Sequence, residues 1–390
     1  MTYSSASDAV FLARDAVDCL PEGALERKLD EGRLLRVKLG LDPTAPDVHL
    51  GHTVVLRKLR EFQDRGHVVV LIIGDYTARV GDPSGRSAIR PVLSGDEIDA
   101  NARTYVEQAA TVLDPERIEL RHNSQWLDMH MEDLFALTRP TTVAQLLERD
   151  DFAKRYAAGE PISLLELLYP MMQAYDSVAV LADVELGGTD QKFNLLLGRE
   201  VQRAYGVEEQ VALMMPILPG VDGERKMSKS LHNHIGVTDP PEEMYGKTLS
   251  LPDSAMASWY ELLFGEHAPE ELSARDAKHE LARRLVERFH SPDAARHAAA
   301  HFERVFVHKG QPEEIAEARF EGSDGAVHMP ALIADVFGGS RSDARRMLSH
   351  GAVKLNGEAL GGDDLDVAPE RLDGAILQVG RRHFRRLRAG

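Results

Sequence analysis

A doubly wound α/β fold is predicted by three observations. Arg33 to Leu41 (RLLRVKLGL) reads as a strand that runs through Asp42-Pro43-Thr44-Ala45-Pro46-Asp47 into an amphipathic stretch, Val48 to Arg65, stopped by Gly66. His67 to Gly74 is apolar and β-branched, as a parallel strand buried on both faces must be. A further apolar strand, Gln210 to Leu218, precedes a polar loop, and the segment between is mostly helical in pattern. Strand, helix, strand is the repeating unit of a parallel sheet. Residues 1–238 are therefore expected to form a Rossmann-like domain with a helical insertion at about 93–159.

After about Pro240 the pattern turns helical, as in His279 to Phe289 and Ala294 to Val307, without a strong strand candidate. This predicts a separate α-helical domain over 239–321. The Gly, Ser and Asp content from Gly322 to Gly325 marks a linker, placed at 322–328. Residues 329–390 restart with Met329 to Phe337, a Ser-Arg-Ser-Asp helix start and a strand-like Ala352 to Asn356 before Gly357, so a small α/β domain is expected.

Composition narrows the function. With 390 residues, 43% of them hydrophobic, the chain can bury more than one core. Its longest apolar run, Val68 to Ile73, is far short of the roughly 20 residues that span a bilayer, and the N-terminus lacks a basic start followed by an apolar stretch. No membrane association is expected. Cys19 is the single cysteine, which excludes an internal disulfide and a cysteine-rich zinc site and fits the cytoplasm. A formal net charge of −17 argues against indiscriminate nucleic-acid binding. A local basic patch at Arg381, Arg382, Arg385, Arg386 and Arg388 remains available.

Two short motifs carry the chemistry. His49 and His52 are three apart at a helix start and share a face, beside free N–H groups and the positive end of the helix dipole, an anion site. Gly51 leaves room for a flat base or phosphate, and Thr44 adds a hydroxyl just upstream. An isolated His-x-x-His is more often an exposed cap; its place after a strand and a proline-rich turn leaves the cap and ligand readings about even. Far downstream, Lys226-Met227-Ser228-Lys229-Ser230 follows Asp222-Gly223-Glu224 in a polar loop suited to a lid. Its two lysines can reach one polyphosphate as point charges. Together the motifs ask for ATP attacked at its α-phosphate.

A third feature is a polar stripe in an apolar segment. Tyr169, Gln173 and Asp176, spaced i, i+4, i+7, share one helix face, provided the helix tolerates Pro170. Such a stripe among Leu164, Leu165, Leu167, Leu168, Met171, Met172 and Val178 is costly to bury without partners, which suggests a pocket for a polar ligand.

On these residues the chain resembles the class I aminoacyl-tRNA synthetases, His49 to His52 matching their first signature and Lys226 to Ser230 their second. Within them it is most similar to the bacterial tyrosyl-tRNA synthetase family, through Leu41-Asp42-Pro43-Thr44-Ala45, Gly81-Asp82-Pro83-Ser84-Gly85-Arg86, Tyr169 to Asp176 (YPMMQAYD) and Gly187-Gly188-Thr189-Asp190-Gln191. The likeness spans nearly the whole chain. It implies a tyrosine–tRNA ligase that makes tyrosyl-adenylate from L-tyrosine and ATP with Mg²⁺ and no resident metal, then charges tRNA(Tyr), as a homodimer.

By the same resemblance His49, His52, Thr44, Lys226 and Lys229 would be catalytic, and Asp42, Gly51, Gly188, Asp190, Met227 and Lys229 would contact ATP. Asp82, Tyr169 and Gln173 would hold the α-ammonium of tyrosine, Gln191 would lie near its carboxylate, and Asp176 would accept from its phenol. Many family members carry a tyrosine that touches the phenol where this chain has Lys38, which is grouped with the tyrosine-binding residues. Lys192-Phe193 likewise departs from the Trp-Gly of the better-known branch and assigns the chain to a second bacterial branch.

The helical 239–321 region would bind the anticodon. Ser340 to Gly357 resembles an S4-type RNA-binding module, with Arg341, Arg345 and Arg346 near one helix face, extended by Arg381, Arg382 and Arg385 toward tRNA. Three alternatives stand beside this. A tryptophanyl-tRNA synthetase shares the core but typically lacks the S4-like unit. A small-molecule adenylyltransferase would not need the Lys226 to Ser230 motif. A non-enzymatic RNA-binding protein would not explain why both signatures are intact.

Overall fold

Parallel strands covered on both faces need unbroken apolar runs, and the chain supplies them where expected. In the computed structural model, which describes residues 5–43, 47–83, 94–307, 315–320, 325–361, 365–380 and 383–390, six strands make one sheet. They are β1 (Asp18–Leu20), β2 (Arg36–Leu41), β3 (Val68–Ile73), β4 (Ile118–His122), β5 (Val184–Gly188) and β6 (Val211–Met215). Their order is β1-β6-β5-β2-β3-β4. All neighbours run parallel except β1, an antiparallel edge on β6. The chain proceeds from β2 outward to β4, then returns to β5 on the other side of β2. The sheet thus changes winding direction between β2 and β5, the kind of place where doubly wound sheets open a crevice at their carboxyl ends.

The Leu50–Asp64 helix follows β2 and buries Leu50, Val54, Leu56, Leu59 and Phe62. Gly66, at φ +89°, ends it in the left-handed conformation expected of a stop glycine. The Leu164–Ala179 helix starts at Ser163, whose hydroxyl accepts from the Leu165 N–H, while Glu166 reaches back to the Ser163 N–H. It runs through Pro170 without ending, at the cost of one backbone bond. The Lys192–Ala204 helix packs along it and over β5 and β6 through Leu195, Ala212 and Met214.

Two expectations are corrected here. The segment between β3 and β6 is not simply helical, for it contains β4 and β5, and β4 lies inside the expected insertion at 93–159. As the open edge of the sheet, β4 is only half-buried, so Ile118-Glu119-Leu120-Arg121-His122 has no apolar run to betray it. The expected boundary at 238/239 is also not where the compact units part. They divide into 1–285 and 286–390. The helices Pro241–Leu249 and Met256–Phe264 belong with the sheet: Trp259 is fully buried and its indole N–H donates to the Pro219 carbonyl at 3.1 Å.

The second unit contains the Pro292–Phe302 helix and a sheet of order β10-β9-β12-β13-β7, formed by β7 (Glu317–Phe320), β9 (Val353–Leu355), β10 (Glu358–Ala359), β12 (Ile376–Val379) and β13 (His383–Ala389). A two-stranded ribbon pairs β8 (Val327–His328) with β11 (Asp366–Val367). Asn356 and Gly357, both at positive φ, make the tight turn between β9 and β10. Met329, Leu332, Ile333, Ala344, Leu348 and Leu377 form its core with the helices Met329–Phe337 and Arg341–Ser349. Ser340 caps the latter by accepting from the Asp343 N–H at 3.1 Å, as its sequence predicts. The C-terminal arginines were expected as a basic patch; those described lie on β13, held between β12 and β7. No helix among the described residues is long and apolar enough to cross a membrane.

Replacing Trp259 tests whether residues 241–285 stabilise the sheet unit. Trp259→Phe, which loses the bond to Pro219, is expected to cost about 1 kcal/mol, and Trp259→Ala about 3–5 kcal/mol, read as lowered denaturation midpoints.

Candidate active site

The two sequence motifs meet. The segment after the lysine loop lies against the start of the Leu50–Asp64 helix: Leu50 N–H donates to Ile235 O at 2.9 Å and Val237 N–H to Val48 O at 2.9 Å, around an antiparallel bridge of His49 to Gly236. The loop is itself braced by Asn233, which is buried. Its amide oxygen accepts from the Ser228 N–H at 2.8 Å, while its NH₂ group donates to Asp222 at 2.9 Å and to Lys226 O at 3.1 Å. Met227, 1% exposed, anchors the loop from below. Lys226 is paired with Asp190 and Lys229 with Asp47 at 3.3 Å. Each lysine thus rests on a carboxylate at the mouth of the crevice.

His49 and His52 stack with ring centroids 3.9 Å apart. The His49 backbone N–H donates to His52 Nδ1 at 3.2 Å, which leaves the His52 proton on Nε2. Burial lowers His52 to about 4, helped by the Lys226 and Lys229 charges. Burial first, then the charges of His52, His234 and the two lysines, hold His49 well below the usual imidazole range. Both rings are therefore neutral at pH 7, hydrogen-bonding groups and not cations. His49 Nδ1 is buried without a partner among the described residues. Gly51 makes the stack possible, because a Cβ there would lie 3.0 Å from the His49 ring and 3.6 Å from Met227 Cβ.

At the end of β2, Asp42 accepts from the Tyr169 hydroxyl at 2.8 Å and from Thr77 Oγ1 at 2.7 Å. Asp176 lies deeper, 3% exposed, and accepts from the Trp126 indole N–H at 2.8 Å and from Asn123 Nδ2 at 3.5 Å. Burial pushes Asp176 up to about 7; Lys38, Trp126 and Asn123 pull it down, and Glu185 adds to the rise. Burial beside Asp42 and Asp82 puts the Tyr169 phenol well above its ordinary value, so it stays a donor.

The remaining stripe residue, Gln173, donates to Glu185 at 3.1 Å and accepts from Asn194 at 2.8 Å. Asn194 also donates to Gln191 Oε1 at 3.0 Å, and Gln191 donates to Asp82 at 2.8 Å. Asp82 is paired in addition with Arg149 at 3.0 Å. Tyr169, Gln173, Asp82, Gln191 and Asp176 therefore share one connected wall. Lys38, which the sequence groups with the tyrosine-binding residues, is turned into this wall. Fully buried, its ammonium donates to Gln173 O at 3.0 Å and Ser177 Oγ at 2.7 Å and is paired with Glu185 at 3.0 Å, which commits its three protons within the wall.

Gly188 closes β5 beside Asp190, whose Oδ1 would lie 2.6 Å from a Cβ on that glycine. Thr44, Arg381 and Arg382 fall outside the described residues. In the second unit Arg341, Arg345 and Arg346 are exposed opposite the buried Ala344 and Leu348. Arg346 pairs with Asp343 at 2.7 Å, and Arg385 lies over the Phe337 ring at 5.6 Å. Sequence reading missed Asn123, Trp126, Arg149, Glu185, Asn194 and Asn233. The available signal was a polar side chain on an apolar strand or helix face, as with Glu185 in Val184-Glu185-Leu186 and Asn194 on the buried face of the Lys192–Ala204 helix.

Comparison with known proteins gives the family. Residues 30–307 match the family described as tRNA synthetases class I (W and Y). The chain is 50% identical to a tyrosine–tRNA ligase of Moorella thermoacetica, over 96% of this chain and 94% of that one. It is 47% identical to one of Thermotoga maritima, over 97% and 96%. Among solved structures, a C-terminally truncated mitochondrial tyrosyl-tRNA synthetase of Aspergillus nidulans superposes with a TM-score of 0.64 at 22% identity, covering 78% of this chain and 95% of that chain, a likeness of fold. The chain belongs to the class I tRNA synthetases of the tryptophan and tyrosine group and, within it, to the bacterial tyrosine–tRNA ligases.

Proposed function

We propose that the crevice between β2 and β5 activates L-tyrosine with ATP and then esterifies tRNA(Tyr), with the residues that the sequence singles out in the roles that follow. The observation that carries this reading is the bridge from His49 to Gly236, which sets two neutral imidazoles against a loop bearing two ammonium groups. The tyrosine carboxylate is ionised at pH 7 and needs no general base. Its oxygen attacks the α-phosphate and the bond to the pyrophosphate oxygen breaks. His49, His52 and Thr44 act as hydrogen-bonding partners of the phosphates. Lys226 and Lys229 leave Asp190 and Asp47 to neutralise the departing pyrophosphate. Asp42, Gly51, Gly188, Asp190 and Met227 line the ATP side. Mg²⁺ enters on the phosphates as part of the substrate; among the described residues no cluster of three or more His, Cys, Asp or Glu could hold a metal ion. The terminal ribose hydroxyl of tRNA then attacks the acyl carbon and releases AMP.

In the amino-acid pocket, Asp82, Tyr169 and Gln173 receive the α-ammonium, Gln191 faces the carboxylate, and Asp176 accepts the phenolic O–H. Phenylalanine would leave that buried acceptor without its donor, the physical basis for rejecting it. Tryptophan, the alternative within the family, offers no hydroxyl to Asp176. The S4-like unit at 329–390 binds tRNA through Arg341, Arg345, Arg346 and the β13 arginines, with the helices after 239 on the anticodon side. The reading assigns the reaction to the cytoplasm, where tRNA is charged. A homodimer through the insertion is supported by the exposed Met131, Phe135, Val143, Tyr156, Leu164 and Leu165, a density of large apolar side chains that solvent does not favour.

Exchange of pyrophosphate into ATP with each of the twenty amino acids tests the core of the proposal: exchange with tyrosine supports it, exchange with tryptophan alone reassigns the pocket. Lys229→Ala should slow adenylate formation by roughly 10²-fold, about 3 kcal/mol of barrier, while leaving tyrosine affinity nearly unchanged; equal losses in pre-steady-state kinetics would refute the role. Arg341→Ala with Arg345→Ala should weaken tRNA charging and flatten its salt dependence, with exchange unaffected. Phe135→Asp with Leu164→Asp should turn a dimer into a monomer in sedimentation; an unchanged mass would exclude that face.

A further inference from the structure

Lys38 and Glu185 are register partners on adjacent parallel strands, 0% and 1% exposed, at the point where the sheet reverses winding. The pair is fully enclosed in hydrogen bonds. Lys38 holds Gln173 O and Ser177 Oγ, three residues before and one after Asp176 on the same helix. Glu185 Oε1 takes Gln173 Nε2 and Lys38; its Oε2 takes Ser177 Oγ at 3.2 Å and the Gln210 amide. Space for this is reserved by Gly198, where a Cβ would stand 2.6 Å from Gln210 Nε2 and 3.3 Å from Glu185 Oε2. A buried ion pair is seldom worth more to a fold than apolar residues of the same volume. Its presence in a parallel sheet calls for another reason.

We propose that the Lys38–Glu185 pair is a positioning device for tyrosine specificity, Lys38 holding the helix turn that carries the phenol acceptor Asp176 through Gln173 O and Ser177 Oγ, and Glu185 fixing the Gln173 amide while balancing Lys38. This rests on the reading of Asp176 as the phenol acceptor and adds residues that do not themselves touch the substrate. The charged groups acting on Asp176 are Lys38 from β2 and Glu185 from β5; the segment after β4 contributes the neutral donors Asn123 and Trp126. Lys38 draws the Asp176 carboxyl toward ionisation and Glu185 opposes it, Lys38 more strongly. With Asp176 near 7 and His52 near 4, the titration close to neutrality belongs to the pocket acid. Below that pH the carboxyl is protonated and accepts the phenol less well; above it the acceptor is charged. Tyrosine should therefore lose kcat/KM as pH falls through 7, whereas phenylalanine, having no hydroxyl, should not.

The test compares tyrosine- and phenylalanine-dependent exchange for the intact enzyme, Glu185→Gln, and Lys38→Met with Glu185→Gln, between about pH 5.5 and 9. Glu185→Gln should shift the acid limb of the tyrosine profile to lower pH. The double variant should shift it upward by about one unit, lowering both tyrosine kcat/KM at pH 7 and the tyrosine-to-phenylalanine ratio by roughly fivefold. Opposite shifts from two changes at one contact are not produced by general loosening. Lys38→Arg, which keeps the charge, should hold the ratio within a few-fold and guards against a double variant that fails to fold. Unchanged limbs and ratios in folded variants would overturn the role of the pair. If the intact enzyme lacks tyrosine-dependent exchange, the reading of Asp176 falls first and this one with it.

Discussion

Lys38 and Glu185 sit where the order of the sheet leaves them no freedom. β2 and β5 are neighbours only because the chain returns past β2 after completing β4, so residues from opposite arms of the topology become register partners. Once the pair is buried, its requirements spread outward. Gly198 must lack a side chain, Gln210 must reach in from the start of β6, and Gln173 must turn its amide toward Glu185. Gln173 then orients Asn194, Asn194 orients Gln191, and Gln191 meets Asp82. A buried network of this kind is stable only when every member is partnered, which is why it behaves as one wall and not as separate side chains.

The other half of the crevice is assembled by backbone. Two peptide hydrogen bonds clamp residues 235–237 onto residues 48–50, so the lysine loop cannot drift far from the histidine helix. Side-chain chemistry then follows from burial. Two imidazoles with centroids 3.9 Å apart cannot both carry charge at neutral pH, and the lysines nearby make it harder still. Positive charge is thereby delegated to the loop, whose lysines can exchange Asp190 and Asp47 for phosphate oxygens, while the rings stay as fixed dipoles. That division keeps the charged groups on the more exposed element.

How much of this was legible in the sequence depended on periodicity. β2, β3 and β6 declared themselves by apolar runs, and the Leu50–Asp64 helix by its stop at Gly66. β4 and β13 did not, the first because an edge strand carries alternating polar residues, the second because its arginines resemble a solvated tail until Phe384 and Leu387 are seen to be buried. The site was legible where a motif is local in sequence: His49 to His52, Lys226 to Ser230, Tyr169 to Asp176. It was illegible where function arises from a partner on another strand. The role of Lys38 stayed open because sequence cannot report that Glu185 lies beside it, and Arg149 gave no sign that it would meet Asp82.

A carboxylate buried like Asp176 works against the fold that holds it. Its folded value of about 7 exceeds the ordinary 3.8, so between those values the unfolded chain gives up the proton more readily, and stability falls as pH rises through that window. Above 7 the native protein carries the full cost of an interior charge. The Trp126 and Asn123 donors and the Lys38 ammonium reduce that cost without removing it. What remains is an acceptor with unsatisfied capacity, which the proposed reading fills with a phenol. On that reading the cost of the buried charge and the preference for a hydroxylated ring have one source: a better-solvated Asp176 would give a more stable protein and a less selective one.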